Sequence, residues 1–346
     1  MGSPPINPHI IMPIILKTEF FEKKIIGQTK EYHIGPFKWS RNLFKKTFNT
    51  NQALFNKFDY FYLLNSNLGE ASLFFKFFYD ELERRNAEEG KRTLIVTSKP
   101  SHFDIAQAFD IRDIVCISGF SVGSYETSFT YKEKEFFVVF NNEYYDRVEN
   151  SIRLSNTHFF FEMSKKLNVK PTTLKKRRIS IPTAIAERSR IKAEKLGLDV
   201  TNFVMIIPHA NSCQDLDKQL LQVLVRGFVE KGLHVFINTW ESYPVKHPLI
   251  HTSYSFSLQE LFVLAQSAHE IVAVRCGLVD FLSDARPPMT VIYSTFKNRP
   301  NEFTITEENV LSGFSLRGIS TEYNFIREIT LSEFHDEILN CKLPMG

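Results

Sequence analysis

Short apolar runs alternate along this chain with longer stretches that have helical periodicity. The runs of the first half predict strands at residues 60–64, 93–97, 111–117 and 135–140. Residues 70–85 and 155–167 predict helices, because apolar residues recur there at the spacing of one helical face. Strands that are apolar along their whole length and alternate with helices are typical of a parallel sheet covered on both faces.

The same alternation begins again after a segment rich in proline and basic residues. Residues 171–182 start and end with proline and contain the run Lys175-Lys176-Arg177-Arg178, so we predict a linker there. The second series predicts strands at 203–207, 234–238, 272–274 and 289–293, and helices at 183–196, 217–231, from 257 onwards, at 278–284 and at 331–339. The predicted parts are an extension at 1–57, a first Rossmann-like domain at 58–170, the linker at 171–182, a second Rossmann-like domain at 183–330 and a terminal helix at 331–346.

The composition agrees with two folded domains. The chain has 346 residues, of which 43% are hydrophobic and 23% charged, which is typical of a folded protein. Its four cysteines form no CxxC pair, so we expect no structural zinc site and a reducing compartment. No apolar run approaches the roughly 18 residues of a membrane span, and we expect no signal peptide. These features predict a protein of the cytoplasm.

The net charge of +3 is unevenly distributed. Residues 1–57 carry +6 and residues 164–195 carry +9, so the rest of the chain is acidic, at −12. The total gives no reason to expect a nucleic-acid partner. In the first segment, aromatic and basic residues alternate from Phe37 to Phe48, which suits peripheral contact with the inner, anionic face of the cytoplasmic membrane. The alternative is an extension packed on the body of the protein with its lysines in water.

Candidate site residues follow three strands, because ligands of open α/β sheets bind beyond the carboxyl ends of the strands. After the first strand, Gly69 permits close approach of the backbone, and Glu70 stands at a helix start. Glu70 is either an acid that faces a ligand or a first-turn carboxylate favoured by the helix dipole.

The second turn follows residues 203–207 and holds His209, Asn211, Ser212 and Lys218. The lysine is either a phosphate ligand or a solvated side chain, and the histidine either contacts a ligand or closes the turn. Asp215 and Asp217 have the spacing of a metal-binding DxD motif, but an aspartate at 217 is also a good helix N-cap, so we expect no metal here.

The third turn, Arg275-Cys276-Gly277-Leu278, lies between a strand and a short helix. Backbone amides at such a helix start bind phosphate, and Arg275 adds a charge-assisted donor. The alternative is a tight structural turn with an arginine on the surface. Cys276 is read as a packing residue. A dehydrogenase is not expected, because no GxGxxG motif follows any predicted strand.

Residues 257–295 resemble the donor-binding end of the bacterial heptosyltransferase family of glycosyltransferases, which has the GT-B fold. They contain an S-L-x-E-L helix start with Glu260 in a capping box, an apolar strand and the Gly277-Leu278 turn. Residues 206–210 with Lys218 resemble the family's phosphate loop, and Leu68-Gly69-Glu70 resembles its G-D turn. The sequence departs from the family at Glu70, where the family has its catalytic aspartate, and at Arg275 and Asp280, where it has an acid and a histidine.

The resemblance implies two Rossmann-like domains of an α/β, GT-B-like fold that face a cleft. It implies an inverting, metal-independent transfer without a cofactor, in which Glu70 deprotonates the acceptor. Lys218, Arg275, Gly277 and Leu278 would bind the donor diphosphate. Further candidates for the cleft are Gly69, His209, Asn211, Ser212, Glu260, Asp280 and Tyr293.

The partners implied by the resemblance are a nucleotide sugar, with heptose or another sugar, and an anionic glycan or glycolipid acceptor. Such acceptors belong to bacterial lipopolysaccharide or capsule, and the basic segments suit them. Two alternatives remain open, a sugar-nucleotide 2-epimerase and a non-catalytic protein that binds nucleotide or sugar on the same fold.

Overall fold

The computed structural model describes residues 46, 48–64, 66–117, 128–139, 163–164, 167–170, 174–297, 306–317, 319–320 and 325–339. These residues divide into two compact units. The first lies within Met1–Asn65, Glu83–Phe103 and Arg112–Asn141, and the second within Ser66–Leu82, Asp104–Ile111 and Asn142–Gly346. The predicted domain boundaries at 57, 171 and 182 stay predictions.

The first unit is built on a five-stranded sheet in the order β3-β2-β1-β5-β4. Its strands are β1 (Tyr60–Leu64), β2 (Thr93–Thr97), β3 (Ile114–Cys116), β4 (Ser128–Tyr131) and β5 (Lys134–Val138). All neighbours are parallel except β4 and β5. A short helix α1 (Gln52–Phe55) precedes the sheet.

Aromatic side chains fill the core of the first unit. Phe61 of β1 stacks on Phe136 of β5, with ring centroids 4.6 Å apart. Phe48 and Phe55, which we assigned to the N-terminal extension, are buried in the same cluster and stack at 4.8 Å. Residues 48–55 are therefore packed on the sheet. Most of the basic aromatic segment before them lies outside the described residues.

The helix after β1 changes its winding part-way. It consists of α2 (Leu68–Leu73), a π-helical turn (Phe74–Phe78) and α3 (Tyr79–Glu88). Its residues up to Leu82 belong to the second unit, as do the last residues of α4 (Pro100–Ala108). The sequence predicted the first helix at 70–85 but missed α4.

The second unit contains a six-stranded parallel sheet in the order β11-β10-β9-β6-β7-β8. Its strands are β6 (Phe203–Ile207), β7 (His234–Asn238), β8 (Ile250–Ser253), β9 (Glu270–Val274), β10 (Met289–Tyr293) and β11 (Ile326–Thr330). Its further helices are α5 (Thr183–Lys195), α6 (Lys218–Glu230), α7 (Leu258–Ser267), α8 (Gly277–Leu282), α9 (Glu307–Phe314) and α10 (Leu331–Leu339).

The strands that the sequence missed lie at sheet edges. β4, β8 and β11 are all edge strands, and the last two are only partly buried, so polar residues interrupt their apolar pattern. Five predicted strands, each with an apolar centre, form at the predicted bounds: 60–64, 93–97, 203–207, 234–238 and 289–293. The predicted helix at 155–167 lies largely outside the described residues.

The predicted linker packs on the second unit where it is described. The amide of Arg177 donates to the carbonyl of Lys76 (2.7 Å), and the amide of Ser180 donates to the carbonyl of Ala108 (2.7 Å). Lys176 also donates to the carbonyl of Ser320 (3.0 Å). Within the described residues, no helix is long and apolar enough to cross a membrane.

Candidate functional site

The centre of the second sheet is the place where a ligand is expected. The chain runs from β6 outward through β7 to β8, then returns to β9 and runs outward the other way through β10 to β11. The strand order therefore reverses between β6 and β9, and ligands of open α/β sheets bind at such a switch point, beyond the carboxyl ends of the strands. The loops that follow β6 and β9 are the predicted second and third turns.

Gly69 and Gly277 lie against each other and join the first turn to the third. A Cβ atom added to Gly277 would lie 2.6 Å from the backbone nitrogen of Gly69, and one added to Gly69 would lie 3.2 Å from the Cα of Gly277 and overlap the Asp280 carboxylate. Neither position has room for a side chain. The starts of α2 and α8 are therefore neighbours, although the sequence separates them by more than 200 residues.

Glu70 stands in the first turn of α2 and is half-buried. Its Oε2 atom accepts a hydrogen bond from the backbone amide of Asn67 (2.6 Å), and the two residues form a capping box. The carboxylate is thus held at the helix start beside the Gly69–Gly277 contact. Glu70 is therefore a carboxylate in the first turn of a helix, as the alternative interpretation held. Its role as a catalytic base stays a prediction.

The Arg275 side chain is buried and makes its hydrogen bonds within the protein. Its side chain is only 7% exposed and forms a paired interaction with Asp280, whose side chain is 5% exposed, through Nη1 (2.9 Å) and Nη2 (2.6 Å). Its Nε atom donates to the carbonyl of Phe314 (3.0 Å). The alternative of a surface arginine is therefore wrong. The predicted contact between Arg275 and a phosphate stays a prediction, and these hydrogen bonds do not favour it.

Exposed polar groups of the loop after β6 form the second turn. Asn211 and Ser212 are exposed, and Lys218, the first residue of α6, has 86% of its side chain in solvent. Its Nζ atom lies 3.7 Å from Glu241. Lys218 is therefore free to reach a ligand, which agrees with both the solvated and the phosphate-binding interpretation.

Asp215 and Lys297 fasten this loop to the loop after β10. Lys297 Nζ donates to Asp215 Oδ1 (2.7 Å) and to the carbonyl of Ala210 (2.7 Å), and the Ala210 amide also donates to Asp215 (2.9 Å). Burial acts to raise the pKa of Asp215, but these hydrogen bonds outweigh it and lower that pKa below its usual value. Asp217 caps α6 through the amides of Gln219 and Leu220. The DxD spacing therefore reflects a loop brace and a helix cap.

Three aromatic rings line the carboxyl ends of β6, β7 and β8. His209 accepts or donates a hydrogen bond with Thr239 Oγ1 (2.8 Å) and stacks on Trp240 at 4.6 Å. Tyr254 meets Trp240 edge to face at 5.3 Å. Trp240 is 59% exposed and Tyr254 is 62% exposed, so flat apolar faces stand open to solvent. The sequence analysis missed both, although Trp240 is one of only two tryptophans and lies two residues after a predicted strand.

Glu260 and Tyr293 point inward. Glu260 is fully buried, accepts a hydrogen bond from the Ser257 amide (2.8 Å), and forms ion pairs with Lys192 (2.7 Å) and Arg188. The Tyr293 hydroxyl donates to the carbonyl of Phe314 (3.0 Å). The expectation that these two side chains face the cleft is therefore corrected, because their polar atoms bind within the second unit. Asp280 is buried in the same way by Arg275.

The comparisons with known proteins identify the fold. No family model matches the sequence, and no curated protein matches it. Among solved structures, the ADP-heptose lps heptosyltransferase II of E. coli matches with a TM-score of 0.51 and 9% identity, over 82% of this chain and 98% of that chain. The chain has a GT-B-like fold. This confirms the fold class and the resemblance to heptosyltransferases that the sequence predicted, at the level of the fold.

Further solved structures also match the chain. A glycosyl transferase family 9 structure from Veillonella parvula DSM 2008 has a TM-score of 0.48 and 12% identity, over 84% of this chain and 90% of that chain. A putative UDP-N-acetylglucosamine 2-epimerase structure from Listeria monocytogenes has a TM-score of 0.37, and the UDP-GlcNAc 2-epimerase of Methanocaldococcus jannaschii has a TM-score of 0.39.

The expectation that no metal takes part is corrected. The iron-containing dodecameric glycosyltransferase TibC from enterotoxigenic E. coli H10407 also matches the GT-B-like chain, with a TM-score of 0.45 and 12% identity, over 81% of this chain and 77% of that chain. The name of that protein says that it contains iron, and the expectation of metal independence is withdrawn. The described residues contain no group of three or more His, Cys, Asp or Glu side chains that fits a metal ion, so no chemical step is derived through one.

Proposed function

We propose that this protein is a glycosyltransferase that moves a sugar from a nucleotide donor to a glycan acceptor, with inversion at the anomeric carbon. The contact between Gly69 and Gly277 carries the proposal. Because Glu70 directly follows Gly69, this contact supports a site in which Glu70 acts as the base beside the amides at the start of α8, and those amides would bind a phosphate group. A base and an anion-binding turn side by side are what sugar transfer from a nucleoside diphosphate requires.

In the proposed reaction, the acceptor hydroxyl attacks the anomeric carbon and gives its proton to Glu70. The bond from that carbon to the phosphate oxygen breaks, and the nucleoside diphosphate leaves with the electron pair. The amides of Gly277 and Leu278, with the exposed cation of Lys218, would stabilise the charge that develops on the leaving phosphate. Arg275 would act indirectly, by holding Asp280 against the Gly69 backbone.

Trp240 and Tyr254 are suited to bind the base of the nucleotide. Their exposed rings lie beyond β7 and β8, next to His209 and on the same edge of the sheet as the phosphate turn. A nucleobase offers a flat π-face to an exposed aromatic ring, and stacking of this kind contributes about 1–3 kcal/mol per base. The base is thus assigned to this aromatic face.

The acceptor is proposed to be an anionic glycan or glycolipid at the inner face of the cytoplasmic membrane. The segment at 174–195 supports this, because Lys175 and Arg178 are exposed on the second unit beside α5. Cations in such positions attract anionic groups at short range. The resemblance favours heptose as the transferred sugar. The product would be part of a lipopolysaccharide or a capsule glycan.

The test is release of nucleotide from ADP-, GDP-, UDP- and CMP-linked sugars in the presence of lipid-linked glycan acceptors. We expect Glu70→Gln to reduce turnover by about 10²- to 10⁴-fold, the usual effect of losing a general base. Glutamine keeps the capping box, so the fold should be preserved. The matched control is Glu308→Gln, which changes an exposed acid in the first turn of another helix, α9.

Full activity in Glu70→Gln, or no turnover of the wild type with any donor, would overturn this assignment. One alternative has a specific observation in its favour: the Glu70 carboxylate is bound in a capping box, as expected of a non-catalytic nucleotide-binding protein. Such a protein would bind nucleoside diphosphates without turnover. An epimerase would change the donor sugar without transferring it to an acceptor, so analysis of products separates all three.

A further inference from the structure

Two buried ion pairs lie where α2 and the π-helical turn meet α8 and the residues after it. Lys76 Nζ lies 2.6 Å from Asp284 Oδ2, and the two side chains are only 1% and 9% exposed. Arg275 and Asp280 form the second pair, equally buried. All four residues belong to the second unit. None of them was given a structural role by the sequence, and Lys76 and Asp284 were not singled out at all.

Asp280 lies on α8, and Asp284 lies four residues further along, in the turn that follows the helix. Asp280 packs on the backbone of Gly69, at the start of α2. Asp284 binds Lys76, two helical turns further along the same segment. The segment that begins at Gly69 thus meets α8 and the turn after it at two points, the Gly69 contact with Gly277 and Asp280 and the ion pair between Lys76 and Asp284.

Lys76 reaches Asp284 from the π-helical turn Phe74–Phe78. A π-turn is rare, and it is found mostly at functional sites. Here a backbone carbonyl of the π-turn accepts a hydrogen bond from outside the helix: the amide of Arg177 donates to the carbonyl of Lys76 (2.7 Å). Burial lowers the pKa of Lys76, and the Asp284 carboxylate opposes that shift. The lysine is thus held by its ion pair in surroundings that otherwise disfavour its charge.

Stability alone does not account for this arrangement. Burying an ion pair removes the hydration of both groups, and apolar residues of similar size often stabilise a core as well or better. An ion pair, however, allows only one relative position of the two helices. If α2 slid along α8, the buried charges would lose their partners, which is strongly unfavourable. An apolar contact of the same size would tolerate such a slide.

We infer that Lys76 and Asp284 are positioning residues, which fix the register of α2 on α8 and thereby hold the Glu70 carboxylate at its working distance from the amides of Gly277 and Leu278. The inference rests on the proposed transferase function. It assigns the two residues no contact with substrate. Their effect is on the rate of the chemical step, because a small misplacement of a catalytic group is costly in rate.

The experiment compares the full-length wild type with the double variant Lys76→Met/Asp284→Asn, which removes both charges and leaves no lone buried ion. We expect kcat for nucleotide release to fall by about 10²-fold while KM for the donor changes little. The matched control is Arg84→Met/Glu88→Gln, which removes an exposed ion pair of α3 and should leave kcat unchanged. If the Lys76→Met/Asp284→Asn variant does not fold, Lys76→Gln/Asp284→Asn takes its place, because it also removes both charges and leaves no lone buried ion.

Hydrogen exchange of the backbone amides gives a readout that needs no turnover. We expect faster exchange at residues 69–70 and 277–278 in the double variant, and no change there in the control. A folded double variant with wild-type kcat and unchanged exchange would overturn the inference. If the wild type turns over no donor, the proposed function fails, and the exchange result alone then decides whether the two residues set the register.

Discussion

The substitution Gly277→Ala tests the contact on which the site depends. The added methyl group would lie 2.6 Å from the nitrogen of Gly69, 3.1 Å from the Cβ of Leu68 and 3.3 Å from its carbonyl carbon. Two of these three atoms belong to the backbone and cannot be moved by a change of rotamer. Since non-bonded heavy atoms rest about 3.5–4.0 Å apart, α2 and α8 would have to separate by about 1 Å.

The cost follows from that displacement. Overpacking in a well-packed interior typically costs about 1–3 kcal/mol. Replacing a helical glycine by alanine returns at most about 1 kcal/mol through the backbone freedom of the unfolded chain. The ion pair between Lys76 and Asp284 joins the two segments and resists the separation, so we expect a net loss of about 2 kcal/mol. For a unit of this size, that lowers the melting temperature by about 4–8 °C.

The assay is thermal unfolding followed by circular dichroism, together with nucleotide release at a temperature where the variant is folded. We expect turnover to fall further than stability explains, because the separation moves Glu70 away from the phosphate turn. Gly90→Ala is the control: a Cβ there meets no atom within 4 Å, and its φ of +71° carries only the cost of a left-handed backbone. If Gly277→Ala has wild-type stability and turnover, the account of this contact is wrong.

Three further predictions concern the surroundings of the site. Trp240→Ala should weaken binding of the best nucleoside diphosphate by about 5- to 150-fold in calorimetry, the equivalent of 1–3 kcal/mol of stacking, whereas Phe325→Ala, which removes another exposed ring, should have no effect. Burial acts to raise the pKa of Glu260, but the hydrogen bonds from Lys192 and Ser257 outweigh it and lower that pKa. The stability that Glu260 contributes is therefore present above its usual pKa of 4.5 and is lost as the pH falls through the lower value of the folded state. The melting temperatures of the wild type and Glu260→Gln should accordingly differ more at pH 7 than at pH 4. The double variant Lys175→Glu/Arg178→Glu should reduce the fraction of the protein that sediments with phosphatidylglycerol vesicles at low salt. An unchanged fraction would contradict the proposal that these two cations attract anionic lipid groups.

The sequence predicted the interior of both sheets well. Buried parallel strands such as Phe203–Ile207 and Met289–Tyr293 are apolar along most or all of their length, so a local pattern is sufficient to find them. Edge strands such as Ile326–Thr330 keep polar residues on their open side, and no local pattern separates them from loops. The helix caps at Ser257 and Asp217 were also predictable, because capping depends on neighbours in sequence.

The candidate site was predictable in its turns but not in the direction of its side chains. Gly69 and Gly277 were found because they follow strands, and the structure brings them together. Whether Arg275 faces solvent or Asp280 depends on packing between segments far apart in the sequence, and a single sequence does not contain that information. The same holds for Lys76, whose apolar neighbours make it look like a solvated residue of an amphipathic helix.

The structure of the protein bound to a nucleoside diphosphate tests the central claim most directly. The account predicts that the two phosphate groups lie against the amides of Gly277 and Leu278, with Lys218 turned toward them and the base stacked on Trp240. The Glu70 carboxylate should face the outer phosphate across a space that fits one sugar ring. A nucleotide bound away from these turns, or with its phosphates distant from α8, would contradict the claim that the paired glycine turns form a sugar-transfer site.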